Sequence, residues 1–140
     1  MSTTLSGSCL CGAVAYRLTS TPRQFYYCEC VQCRKLTGSV AATNLAMTPA
    51  PITWTTGAAD VVRYDAANGR AFSHVFCRHC GSGLPFLNRA GNTLIVPAGS
   101  LDTPPPLAVQ ERIFAAERPA WASFDAHLPE SSAFSNRQSR

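Results

Sequence analysis

Apolar and polar residues alternate along this chain in short stretches, broken about every ten to fifteen residues by Gly, Pro or Asn. Alternation with a period of two puts one face of an extended segment on a core and the other in water, so the pattern is that of an antiparallel all-β domain. It predicts strands over 12–18, 24–28, 39–46, 52–55, 61–64, 70–76, 83–87, 92–97 and 110–116. Turns fall at 48–51, 57–60, 68–69, 88–91 and 102–106, where Pro fixes φ and Gly or Asn tolerates a reversed backbone. Two places read as helical, a turn over 34–37 after Cys33 and the stretch 120–127. The segment 130–140 has little to bury beyond Phe134, so it is expected to be loose or docked by that one ring. No repeat of solenoid length interrupts the pattern.

The length of 140 residues fits one domain, expected over 1–129, with 130–140 as a tail. Hydrophobic residues make up 46% and charged residues 14%, which excludes wholesale disorder. The longest unbroken apolar runs, such as 25–28, are four residues, too short to cross a bilayer as a helix. Residues 1–12 lack a basic segment followed by an apolar one, so a cytoplasmic location is expected.

Seven cysteines, at 9, 11, 28, 30, 33, 77 and 80, change the picture. An odd, clustered count without an export signal argues against a disulfide framework. Thiolates two or three residues apart suit tetrahedral zinc, whose Zn–S bonds of about 2.3 Å bring the sulfurs to within about 4 Å of one another. Metal also removes an apparent basicity. The formal charge is +4; seven thiolates subtract seven and two zinc ions return four, leaving +1. With the twelve Lys and Arg spread along the chain, nothing reads as a phosphate track, and no nucleic-acid or membrane partner is expected.

Cys77-Arg78-His79-Cys80-Gly81 has the form of a zinc knuckle, a tight turn presenting two sulfurs. Cys9 and Cys11, placed at the start of the first predicted strand, fall on one face and supply two more, giving a closed four-cysteine structural site. The rival is two unrelated pairs of buried thiols. Cys28, Cys30 and Cys33 then form a trio, and three protein ligands with a vacant position are the signature of a catalytic zinc. Alternatives for the trio are a redox-active thiol set, or a second structural zinc completed by Glu29, His74 or His79.

These clusters, with the flanking stretches 7–12, 28–38, 76–81 and 97–102 and on to Trp121 and Pro129, resemble the glutathione-dependent formaldehyde-activating enzyme (GFA) family, also called the centromere protein V domain. The resemblance implies an all-β fold of the β-tent type and two zinc ions per chain. Residue by residue it makes Cys9, Cys11, Cys77 and Cys80 structural ligands and Cys28, Cys30 and Cys33 catalytic ones. It departs at one place: many members have His between the first two catalytic cysteines, and this chain has Glu29. A carboxylate there disfavours an incoming thiolate unless Arg34, Lys35 or another cation offsets it.

The activity implied is that of a carbon–sulfur lyase resembling S-(hydroxymethyl)glutathione synthase, in which glutathione thiolate adds to formaldehyde at the trio. Arg34 and Lys35 are candidates to meet a glutathione carboxylate, or are plain surface charge. The competing class is a non-catalytic zinc module for thiol sensing or partner docking. An exchangeable fourth ligand inside a pocket separates the two. His74, alternating with Phe72 and Phe76, reads as a packed histidine, and His79 as facing water. Trp54, Trp121, Phe114 and Phe124 read as core or interface, while Ser39, Asn44, Gly99 and Ser100 are candidates for a pocket wall.

Overall fold

The alternation becomes strand in the computed structural model, which describes residues 1–67, 70–122 and 127–135. Among them run ten strands and one α-helix: β1 (Thr3–Ser8), β2 (Ala15–Ser20), β3 (Pro22–Cys28), α1 (Val31–Thr37), β4 (Ala42–Met47), β5 (Ile52–Thr56), β6 (Val61–Asp65), β7 (Ser73–Cys77), β8 (Phe86–Leu87), β9 (Leu94–Pro97) and β10 (Glu111–Ile113). Three sheets result, ordered β1-β2-β5, β10-β3-β4-β9-β8 and β6-β7. The fold is all-β with little helix, as expected from the pattern and the resemblance. In β2, Tyr16, Leu18 and Ser20 are buried while Arg17 and Thr19 face water, the period-two signature in its plainest form.

One core joins the sheets. Leu5, Tyr16 and Leu18 of the three-stranded sheet meet Leu45, Leu94 and Val96 of the five-stranded one, with Val75 and Leu84 between. Each such side chain contributes roughly 1.5–3 kcal/mol on burial. Most predicted strands lie within a few residues of their place, with three corrections. Strand β1 was not expected: Thr-Thr-Leu-Ser-Gly-Ser carries only Leu5 as a large apolar residue, and its pairing with β2 supplies what its composition lacks. The strand expected from residue 12 begins at Ala15, because Cys9 to Val14 is spent on a turn. The pairing is not wholly antiparallel, since β10 lies parallel to β3, with Ile113 opposite Cys28. A parallel partner needs a long crossover, and here it returns the chain's later part to the strand that ends at Cys28.

The helix also differs from expectation. It begins at Val31, so Cys33 lies inside it. Cys30, with extended φ and ψ, is its N-cap, and the Cys30 sulfur accepts a hydrogen bond from the Cys33 amide at 3.2 Å. A thiol sulfur here takes the role that Ser or Asp oxygen usually plays. A helix of seven residues has little stability alone, so its position depends on what packs around it. The expected turn at 68–69 and the centre of the stretch 120–127 lie outside the described residues; Ala122 N bonds to Pro119 O just before the latter. Phe134 is 90% exposed and docks nothing. Among the described residues no helix is long and apolar enough to cross a membrane.

Candidate metal centres and the cleft beside them

Cys9, Cys11, Cys77 and Cys80 have sulfurs within 4.8 Å of one another. The Cys9–Cys11 and Cys11–Cys77 separations are 3.6 and 3.9 Å, against about 3.8 Å for the edge of a tetrahedron with zinc–sulfur bonds of ~2.3 Å. The donors and their spacing therefore fit zinc. The knuckle turn closes through Gly81 N to Cys77 O at 2.8 Å, and Gly81 has φ +76°, which a side chain would strain. The first pair comes from a turn as well: Cys9 N bonds to Val14 O and Gly12 N to Cys9 O, at 2.9 and 3.1 Å. The four expected cysteines do come together, but a turn between β1 and β2, rather than two positions on one strand face, brings them there.

Hydrogen bonds favour the sulfur anion at Cys9 and at Cys80 in this site. Val14 N donates to Cys9 Sγ at 3.2 Å, and a bond from Ser82 holds the Cys80 thiol down at about 5. Leu10 N to Ser82 Oγ, 3.0 Å, ties one turn to the other. His79 Nε2 lies 3.0 Å from an Asp60 carboxylate oxygen on the outside of the knuckle.

The trio is built differently. Cys28 ends β3, Cys30 caps α1 and Cys33 lies in its first turn, and their sulfurs also fall within 4.8 Å of one another. All three are buried. Hydrogen bonding from Cys33 pulls Cys28 down to about 6 and pushes Cys33 up in turn. The arrangement favours the anion at Cys28, the form in which a thiol binds metal. Among the described residues no His, Asp or Glu joins these three within that distance. The side chains considered as a fourth ligand are engaged elsewhere: His79 with Asp60, His74 stacked on Phe76 at 5.2 Å, and Glu29 with arginines.

Glu29 is fully buried. Its carboxylate accepts from Arg118 through Nε and Nη2, both at 3.0 Å, and from Arg112 Nη1 at 3.5 Å. The Glu29 charge is offset by these two residues and not by Arg34 or Lys35. Arg34 donates Nη2 to Glu117 O at 3.3 Å, Lys35 is exposed, and neither is among the cavity-lining residues.

A cavity of about 250 Å³ lies against the trio, walled by the three cysteines with Tyr26, Asn44, Arg70, Phe72, Phe86, Arg89, Ile113 and Phe114 among others. A larger one of about 680 Å³ shares Cys33, Asn44, Phe72, Ser73 and Phe86 with it and extends past His74, Ser100 and Asp102 to Cys9, Gly81 and Ser82. Both cysteine clusters therefore border adjoining parts of one cleft. Tyr26 and Asn44 face each other across β3 and β4. Burial pushes the Tyr26 phenol up to about 12, keeping it a proton donor. Arg70 bonds Glu117 at 3.1 Å and lies 4.7 Å over the Phe114 ring. Phe114 has φ +55°, the one positive value at a non-Gly residue among the described residues, a strained backbone on the cavity wall.

Asn44, Gly99 and Ser100 thus line the cleft as the sequence suggested, and Ser39 does not. His74 is packed as expected, and burial lowers its pKa, yet it also forms part of the wall. Trp54 packs edge-on to Tyr16 at 6.1 Å. Trp121 is 67% exposed, so it is not core, and Phe124 lies outside the described residues. Phe114 is a cavity residue, not core. Tyr26, Arg70, Arg89, Arg112, Glu117 and Arg118 were missed; all but Tyr26, which shares β3 with Cys28, come from distant parts of the chain, and none carries a local motif.

Residues 4–117 match the sequence model of the family described as glutathione-dependent formaldehyde-activating enzyme. None of the curated proteins compared with the chain matches it. Among solved structures, the crystal structure of a Rhodobacter sphaeroides protein superposes with a TM-score of 0.58 at 22% identity, over 77% of this chain and 99% of that one, a likeness of fold.

Proposed function

Because this chain belongs to the glutathione-dependent formaldehyde-activating enzyme family, we propose that it is a carbon–sulfur lyase of the S-(hydroxymethyl)glutathione synthase type, joining glutathione to formaldehyde beside Cys28, Cys30 and Cys33. One observation carries the reading: three buried sulfurs, with no fourth His, Asp or Glu donor among the described residues, open on a cavity. That donor set is the catalytic form of a zinc site, while the four-cysteine set is the structural form. Zinc held by Cys28, Cys30 and Cys33 supplies stabilisation of a sulfur anion at neutral pH.

The residues of the chain bind, orient and exclude. In the forward direction the thiol sulfur bonds to the aldehyde carbon, the carbonyl π pair moves to oxygen, and the proton given up by the thiol ends on that oxygen; the reverse breaks the C–S bond. Tyr26 and Asn44, polar groups of the cavity wall, meet the oxygen as it gains charge, with the phenol as donor. Arg70 and Arg89 on the same wall suit a peptide carboxylate better than Arg34 and Lys35. The adjoining 680 Å³ accommodates the rest of a tripeptide, within the usual range for small-molecule sites. Phe72, Phe86 and Ile95 add apolar wall that limits water. A cytoplasmic setting, where thiols stay reduced, fits this use of free cysteines.

The test is a progress curve of adduct formation from glutathione and formaldehyde, read against the spontaneous reaction. Acceleration that Cys30→Ser abolishes, and that Tyr26→Phe lowers by about a hundredfold to a thousandfold, is expected. A wild-type curve that superposes on the background overturns the proposal.

A further inference from the structure

The segment 111–118 grips the trio-bearing loop at successive points. Strand β10 pairs with the end of β3, and Glu29 N donates to Ile113 O at 3.0 Å. Glu117 Oε1 accepts from Val31 N at 3.3 Å, and Glu117 O accepts from Arg34. At the centre is the Glu29 carboxylate, fully buried between two candidate ligands and held by Arg118 and Arg112. An apolar side chain would serve stability there as well or better, because a buried ion pair recovers little beyond its desolvation cost. What the carboxylate adds is direction. Two parallel N–H···O bonds from Arg118 fix the plane of the carboxylate, and with it the backbone between Cys28 and Cys30.

We propose that Glu29 is a positioning residue: its clasp with Arg118 and Arg112 locks segment 111–118 against the trio and sets the sulfur spacing that a metal ion requires. The inference rests on the trio being a metal site and is independent of the reaction proposed for it. The quartet is held by bonds within its own turns and so serves as an internal control of folding.

Zinc-loaded wild type, Glu29→Gln, Arg118→Met and Arg112→Met are to be titrated with a chromophoric chelator that counts metal as it leaves. Circular dichroism on the same samples follows the fold. Wild type is expected to hold two zinc ions. Glu29→Gln and Arg118→Met should weaken one of them about tenfold to a hundredfold and leave the other unchanged with the strands intact. Arg112→Met, which loses the longer contact, should weaken it less. Cobalt(II) bound at the trio should show a shifted sulfur charge-transfer band in Glu29→Gln. Two zinc ions held as tightly in Glu29→Gln and Arg118→Met as in wild type overturn the clasp alone. Loss of both ions together with melting of the strands overturns it too, by making the pair a general structural element. A wild-type chain that takes up a single zinc removes both this inference and the catalytic reading.

Discussion

Cys9, Cys11, Cys77 and Cys80 stand on two turns that bond within themselves and to each other, whereas Cys28, Cys30 and Cys33 stand on a strand end and a seven-residue helix held from outside by segment 111–118. The difference runs against intuition about exposure. The trio is buried throughout, while the quartet has Cys11 in solvent. Closure of the quartet comes from its four donors, and openness of the trio from having three beside a cavity. A locally determined site suits a fastener between distant parts of the chain, and a remotely supported one can be shaped for a ligand.

The comparison breaks most visibly on cysteine replacement. Structural zinc contributes about 10–16 kcal/mol in small zinc domains, as much as the net stability of an ordinary domain of about 5–15 kcal/mol. Cys80→Ser should therefore unfold the protein at 37 °C, seen by circular dichroism. Cys30→Ser should cost only about 1–3 kcal/mol and one equivalent of metal, with the strands retained. Equal losses would make the two clusters alike in role.

A sharper version perturbs one loop without touching a ligand. Gly57 has φ +74°, and a Cβ there would clash with Ala13 O, beside the turn that carries Cys11. Gly57→Ala should cost about 2–4 kcal/mol in denaturant unfolding and loosen the quartet metal, leaving chelator release from the trio as it was. Loosening of the trio instead would mean that the two sites share support.

The smallest effect concerns the wall between the clusters. Burial holds the His74 pKa below its usual 6.5, so on acidification the unfolded chain takes up this proton first. The state that binds more protons is then the unfolded one, and stability falls as pH drops through the region of 6.5, with no contribution well above it. His74→Phe should flatten that slope in denaturant midpoints measured above the pH at which metal leaves. An unchanged slope would show that His74 is solvated in the folded protein.

How much of this was legible in the sequence follows the same division. The cysteines of both clusters were readable as candidate ligands because C-x-C and C-x-x-C spacings express the geometry that a metal requires. The strands were readable wherever one face is buried, as in β2 and β7. Strand β1 was not, because Leu5 alone cannot announce an alternation. The partners of Glu29 were not either: Arg112 and Arg118 lie more than eighty residues on, and a parallel pairing of β10 with β3 is needed to deliver them. The helix start was displaced because a cysteine sulfur does the capping. Phe114 was misread since an aromatic ring in sequence gives no sign of the left-handed backbone that turns it toward the cavity.

The central claim, that the trio leaves its metal able to accept a substrate sulfur while the quartet does not, is tested most directly by titrating glutathione into protein loaded with cobalt(II) at both sites and recording the visible spectrum. The account predicts that one equivalent of thiol alters the bands of one cobalt ion, and that Cys30→Ser lacks both that ion and the response. Two cobalt ions whose spectra ignore the thiol would contradict it.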